Sequence, residues 1–370
     1  MSNPYEESLL KCFTKVDHML PRMDGFPHIT KNGDWLKNQN GHWTGGFWTG
    51  ILWLESIYCQ SAEMEQEAKK WALKLQCRQN DATTHDLGFL FGPSCVLGHR
   101  ITGDCRLLPL IHAGSKNLQK QYVPQVGLVQ AWAEAGYEGI SIVDTIMNLP
   151  ITWISGKLRH DSEAQQFCLH VAEQIRRYAV REDGSTYHVV RWDENYHISG
   201  DTHQGYSSTS CWSRGQAWAL YGFANMYRYT HAPIFLETAE KTACYFWEHL
   251  NADYLPAWDF VFQNENVPID AAAASIAASG MELLAYLFHQ KGALDKAELW
   301  EMRSEKILDA EIEHCLYRSL DKYGLIENVT VDLPNHSGIG ESSMYGDYYF
   351  VEALFRKVFR NNEARLLDLY

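Results

Sequence analysis

Apolar residues recur along this chain in two alternating kinds of segment. One kind is amphipathic: stretches near 5–20, 62–77, 104–119, 161–179, 234–250 and 294–315 carry an apolar stripe beside Lys, Glu, Gln and Arg, as where Ala68, Trp71 and Leu75 run against Glu67, Lys69 and Lys70. That spacing predicts helices with one face in water. The other kind is apolar on nearly every side and opens with a polar or glycine-bearing turn: WTGGFWTGILWL, HDLGFLFG, VDTIMNLPITWI, WSRGQAWALYGF, DAAAASIAASGMELLAYL and YGDYYFVEALF. Helices apolar all round belong inside a protein. The two kinds alternate strictly, six of each. The pattern predicts an all-α fold, an (α/α)6 toroid of six inner helices surrounded by six outer ones. A parallel β/α barrel needs eight short Val/Ile-rich runs, whereas Trp, Ala and Gly fill the inner segments here.

This arrangement has a chemical consequence. With the inner helices pointing the same way, the polar residues at their starts, among them Asp86, Asp144, Arg214, Asp270 and Asp347, gather at one mouth of the ring. Helix N-termini there also present unpaired N–H groups, which favour anionic partners.

Composition narrows the picture. No Pro/Ser-rich linker, charge block or low-complexity stretch divides the chain, so residues 1–370 are expected to form a single catalytic domain. Hydrophobic residues at 46% and charged residues at 21% suit a large core. A formal charge of -14 argues against a nucleic-acid or anionic-membrane partner, since phosphates select basic faces. An anionic substrate then needs local cations. The nine cysteines are odd in number and include no CxxC spacing, which points to reduced thiols rather than a disulfide framework or a zinc knuckle. The start, MSNPYEESLLKC, lacks the basic-then-apolar block of a secretory signal, so the expected location is cytoplasmic. Ala271 to Phe288 is apolar enough to suggest a membrane span, but Glu282 and many Ala and Ser residues favour a buried core helix. HExxH, GxSxG, GxxxxGK and GxGxxG are all absent, and no metal or cofactor is expected.

The candidate chemistry sits at the inner-helix starts. Asp144 lies among Ile142, Val143, Ile146 and Met147, where desolvation raises a carboxyl pKa and suits it to giving and retaking a proton. Its position before Thr145 equally fits a helix N-cap. Asp86 in TTHDLGFLFG has the same two readings, with His85 adding a second titratable group. Two carboxylates at one mouth push each other's pKa values apart. Asp270 and Asp347 open equivalent segments without an adjacent titratable partner and read as structural caps. Arg214 can grip a substrate carboxylate with its planar guanidinium or pair internally with an aspartate. His188, and His203 with Gln204, supply hydrogen bonds of the kind that hold sugar hydroxyls, although a lone histidine is commonly a satisfied core residue. Of 13 tryptophans, Trp43, Trp48, Trp132, Trp212 and Trp218 lie in or near the inner-helix starts, where an indole can pack in the core and also face a sugar ring.

Taken in order, WTGGFWTGILWL, HDLGFL, VDTIMNLP, YHVV, THQG, WSRGQAW and GDYYFVEAL resemble the unsaturated glucuronyl hydrolase family, over about residues 26 to 355. The resemblance implies a six-hairpin α/α fold, in agreement with the toroid reached by counting. It implies hydration of a double bond rather than two-carboxylate attack at an anomeric carbon. The substrate is an oligosaccharide whose non-reducing end is a C4=C5 unsaturated uronic acid left by a lyase, of glycosaminoglycan or similar origin. Matched by motif, Asp144 is the implied acid/base and Asp86 the second required carboxylate. His188, Gln204, Arg214 and Trp218 are implied substrate contacts, with Trp43, Phe47, Trp132 and Trp212 on the aromatic side and His203 adjacent. Gly45 replaces a residue that is often polar in the family, and NVTVDLPNHSGIGESS matches no substrate motif. Two rival readings are an unsaturated rhamnogalacturonyl hydrolase, which shares the chemistry, and a silent toroid that only binds carbohydrate.

Overall fold

The computed structural model describes residues 3–360, so the ends of the expected domain, 1–2 and 361–370, lie outside the described residues. The helices run in chain order as α1 (Pro4–Met19), α2 (Gly45–Cys59), α3 (Ala62–Lys74), α4 (Leu87–Phe91), α5 (Leu97–Thr102), α6 (Leu108–Lys120), α7 (Thr145–Asn148) and α8 (Pro150–Arg159). They continue as α9 (Ser162–Ala179), α10 (Ser213–Thr230), α11 (Pro233–Glu248), α12 (Ala271–Gln290), α13 (Leu294–His314) and α14 (Met344–Val358). Two inner segments are each split. A π-helical stretch, Gly92–Val96, joins α4 to α5 around Pro93, and Leu149 separates α7 from Pro150 at the start of α8. Proline, which lacks an N–H, interrupts the ladder at both places.

The inner segments close a ring. Packing runs from α2 to α4, on to α7 and α8, then to α10, α12 and α14, and α14 returns to α2. Outside it, α3 packs on α2, α6 on α4 and α8, α9 on α8, α11 on α10 and α13 on α12, while α1 covers α14. The fold is therefore the (α/α)6 toroid that the hydrophobic pattern predicts. Neighbouring inner helices approach closely where glycine permits it: a Cβ on Gly46 would lie 2.1 Å from the carbonyl oxygen of Phe89, and one on Gly88 2.4 Å from Cα of Asn148. The apolar helix α12 is part of this ring, with 94% of its most apolar window buried inside the protein.

The connections are unequal, and this builds the mouth. Inner-to-outer links such as those between Cys59 and Ala62 or Arg159 and Ser162 are short. The outer-to-inner links are long and carry the nine short strands found among the described residues, all at the end where the inner helices start. These are β1 (Phe26–Lys31), β2 (Asp34–Asn38), β3 (Tyr122–Val123), β4 (Leu128–Val129), β5 (Ile140–Ile142), β6 (Val189–Trp192), β7 (Ile198–Asp201), β8 (Val329–Asp332) and β9 (Ser337–Glu341). The helical-period pattern does not predict them, because each is short and pairs only with loop neighbours. The three-stranded sheet β5–β6–β7 pairs Ile142 with Val189. The Val143 N–H also donates to the His188 carbonyl at 2.9 Å, so the loop before Asp144 is fastened to the loop bearing His188.

Candidate active site

Asp144 occupies the N-cap position of α7, but its side chain makes no capping hydrogen bond, and its φ of -56° and ψ of -23° are already helical. The capping alternative fails for this residue. Burial, reinforced by the charge of Asp86 and opposed by Arg214 and by hydrogen bonding from the Trp218 indole, pushes its carboxyl up to about 8. The group is therefore protonated at neutral pH. At 8% exposure the residue still reaches the mouth.

Asp86 precedes α4 and likewise leaves the helix uncapped. Its Oδ2 accepts from Thr84 Oγ1 at 2.6 Å, and its Oδ1 lies 3.3 Å from His85 Nε2. His85 Nδ1 is 2.7 Å from Thr145 Oγ1, the residue after Asp144. A buried histidine thus ties together the two helix starts that carry the carboxyl groups. The HD pair in HDLGFL hints at this link; its partner Thr145 could be found only in space.

His188 is oriented by its backbone neighbours. Its Nδ1 accepts from the N–H groups of His203 and Gln204, each at 3.2 Å. Burial first, then the fields of His203, Arg214 and His85, hold its pKa well below the usual imidazole value. The ring is neutral, and with Nδ1 accepting, the proton sits on Nε2. That Nε2 is 3.9 Å from Asp144 Oδ1, and both atoms are buried without a hydrogen-bond partner among the described residues. A substrate oxygen within about 3 Å of both atoms would satisfy the pair.

Arg214 realises the internal alternative. Nη1 is bonded to Asp270 Oδ2 and, at 2.8 Å, to the Thr330 carbonyl; Nη2 reaches the Val331 carbonyl at 2.5 Å. Asp270 is therefore the buried partner of Arg214, which corrects its reading as a cap lacking a titratable neighbour; a separation of 56 positions hides the pairing in the sequence. The guanidinium also lies over Trp212, 4.5 Å from the ring centroid, and 5.1 Å from that of Tyr345. Gln204 Nε2 donates to the same Val331 carbonyl at 2.7 Å, so Arg214 and Gln204 together pin the β8–β9 hairpin at the mouth. Asp347 is not a cap either: it lies inside α14, whose N-cap is Ser343, and its carboxylate oxygens instead accept from the N–H groups of Leu325 and Ile326 in the preceding loop.

The aromatic residues divide by depth. Trp43 is half-buried and stacked on Tyr345, with centroids 5.0 Å apart, and Trp132 packs between Tyr137 and His203 at 5.2 and 5.7 Å. Trp212 lies beside the His188 ring at 4.2 Å, and Trp218 contacts Phe89. Phe47 and Trp48 are fully buried; Phe47 packs with Phe89, Tyr348 and Tyr349, so it supports Trp43 from below. Tyr345, which neither spacing nor motif singles out as a contact, belongs to the mouth through Trp43 and Arg214.

A six-hairpin toroid whose mouth holds a buried, protonated carboxyl beside a second carboxylate and the half-buried indoles of Trp43 and Trp132 defines a glycoside hydrolase. The family model described as Glycosyl Hydrolase Family 88 matches residues 18–258, and the chain belongs to that family. It is 30% identical to the unsaturated chondroitin disaccharide hydrolase of Streptococcus agalactiae, over 95% of this chain and 89% of that protein. It is 32% identical to the unsaturated glucuronyl hydrolase of Formosa agariphila, over 85% and 80%. The crystal structure of the unsaturated glucuronyl hydrolase of Bacillus sp. GL1, described as responsible for glycosaminoglycan degradation, superposes with a TM-score of 0.88 at 27% identity, covering 95% of this chain and 96% of that one.

Proposed function

We propose that the chain is an unsaturated glucuronyl hydrolase, a single-domain cytoplasmic enzyme that removes the C4=C5 unsaturated uronic acid from the non-reducing end of lyase-generated oligosaccharides. The observation that carries this reading is the carboxyl of Asp144, raised to about 8 in a mouth otherwise suited to sugars. The unsaturated ring is an enol ether conjugated to a carboxylate. Asp144 delivers its proton to C4, which leaves positive charge shared between C5 and the ring oxygen. Water then adds at C5 and gives its proton back to Asp144. The resulting hemiketal opens, and the neighbouring sugar leaves from C1. One residue thus serves as acid and then base, which suits a pKa near the working pH.

Asp86 supports proton retention on Asp144 through its negative charge. His188 donates from Nε2 to a substrate oxygen, with His203 and Gln204 beside it. Arg214 attracts the substrate carboxylate mainly through its field, since Nη1 is committed to Asp270 and Thr330. Trp43 and Trp132, half-buried at the mouth, offer apolar surface to the sugar, with Trp212, Trp218 and Phe47 buried behind them. The names of the curated relatives favour a glucuronyl over a rhamnogalacturonyl substrate. Incubation with unsaturated chondroitin, hyaluronan, heparin, ulvan and rhamnogalacturonan disaccharides, followed by loss of ultraviolet absorbance, tests the choice. Turnover of at least one uronyl disaccharide from the first four is expected. Turnover of the rhamnogalacturonan disaccharide alone would assign the rival substrate, and binding without turnover of any would make the chain a carbohydrate-binding toroid.

A further inference from the structure

At the end of the ring opposite the mouth, the last turns of α5, α8 and α10 surround a cavity of about 150 Å³. Val96, Ile111, Trp153 and Ile154 form its apolar wall, and Arg100, Lys157 and His99 add cationic or titratable groups; no acidic residue lines it. This is anomalous for a protein of formal charge -14. Neither half-buried Arg100 nor exposed Lys157 forms an ion pair among the described residues. Three lining residues also hold buried polar atoms without a hydrogen-bond partner among the described residues: Arg100 Nη1, Trp153 Nε1 and Tyr229 OH. All three have essentially no accessible surface, so they lie in the wall behind the cavity and do not open onto it.

Complementing the helix C-termini accounts for a basic residue in the last turn of α5 and of α8. It does not account for an apolar cavity beside these residues or for the absence of a counter-ion at half-buried Arg100. We propose that this cavity is a second ligand site, separate from the catalytic mouth, for a small organic carboxylate with an apolar body. The charge asks for an anion, and the hydrocarbon wall asks for carbon behind it. A cavity of this size suits a body of roughly one six-membered ring, since about 150 Å³ holds benzene in an engineered apolar cavity. Inorganic phosphate or sulfate would leave Val96, Ile111 and Ile154 uncovered.

The test is calorimetric titration of the intact protein with benzoate and with its neutral analogue, benzyl alcohol. Benzoate is expected to bind at least about tenfold more tightly than the alcohol, the margin that one charge-assisted contact supplies. The double variant Arg100→Gln, Lys157→Gln is expected to remove that preference while uronyl hydrolase activity is retained, because neither residue is near the mouth. Ile154→Phe, which fills the cavity without changing charge, is expected to weaken both ligands; it stands in if the double variant does not fold. Equal binding of benzoate and benzyl alcohol would overturn the proposal. So would benzoate binding that survives both variants, which would put the anion in the catalytic mouth instead.

Discussion

Nε2 of His188 faces Oδ1 of Asp144 across 3.9 Å, and the two buried atoms have no hydrogen-bond partner among the described residues. Two backbone N–H groups on Nδ1 fix the imidazole proton on Nε2, so the pair is one donor opposite one carboxyl that carries its own proton. Replacing His188 by Ala removes the donor and leaves the His203 and Gln204 N–H groups unpaired. A fall in kcat/KM equivalent to about 2–4 kcal/mol is expected, from a lost substrate bond and a loosened loop. Steady-state kinetics on the best disaccharide of the panel checks it; unchanged kcat/KM would remove His188 from the site.

Asp144→Asn separates proton transfer from helix capping. Asparagine caps a helix about as well as aspartate, so a capping role predicts little change in stability. A carboxyl raised from 3.8 to about 8 predicts something else. Its unfolded form ionises from pH 3.8 upward while the folded form holds its proton to about 8, so the residue destabilises the fold increasingly across that window. The Asn variant is therefore expected to melt at a higher temperature than wild type at pH 8, with the gap closing toward pH 4. Equal melting temperatures at pH 8 would contradict the raised pKa.

The same carboxyl sets the pH dependence of turnover. Activity requires the protonated acid, so kcat/KM is expected to fall as pH rises through about 8. Because the charge of Asp86 raises the pKa of Asp144, Asp86→Asn is expected to move this basic limb to lower pH as well as to lower the rate. A limb that stays in place would show that Asp86 acts other than through its charge.

Asp270→Asn leaves Arg214 buried with its ion-pair partner removed. Both residues are essentially inaccessible, at 0% and 2% exposure. Breaking such a pair from one side costs about 3–5 kcal/mol, which chemical denaturation reads directly. The β8–β9 hairpin is also expected to loosen, seen as faster amide exchange at Thr330 and Val331.

The ring was legible because its period is simple. Six segments apolar all round, alternating with six striped ones, admit few packings, and α12 could be told from a membrane span by Glu282 and its small residues. The breaks at Pro93 and Pro150 are local and leave the helical course intact. The strands at the mouth were not legible, since they are two to six residues long and owe their pairing to tertiary closure. At the site, the neighbourhood of Asp144 allowed both cap and acid; only the absence of a capping bond in three dimensions separates them. The sequence shows Asp270 only as a cap because its partner, Arg214, is adjacent in space and distant in sequence. Tyr345 gives no sign of the mouth because it lies within a segment that otherwise reads as core.

The central claim, that Asp144 hydrates a double bond rather than cleaving a glycosidic bond at the anomeric carbon, is tested most directly by stoichiometry. Wild type and Asp144→Asn are incubated with an unsaturated uronyl disaccharide, and loss of ultraviolet absorbance is followed alongside release of the saturated sugar. Hydration predicts one molecule of sugar released for each double bond lost, with both signals abolished in the variant. Sugar release with the absorbance preserved, or full activity in the variant, would contradict it.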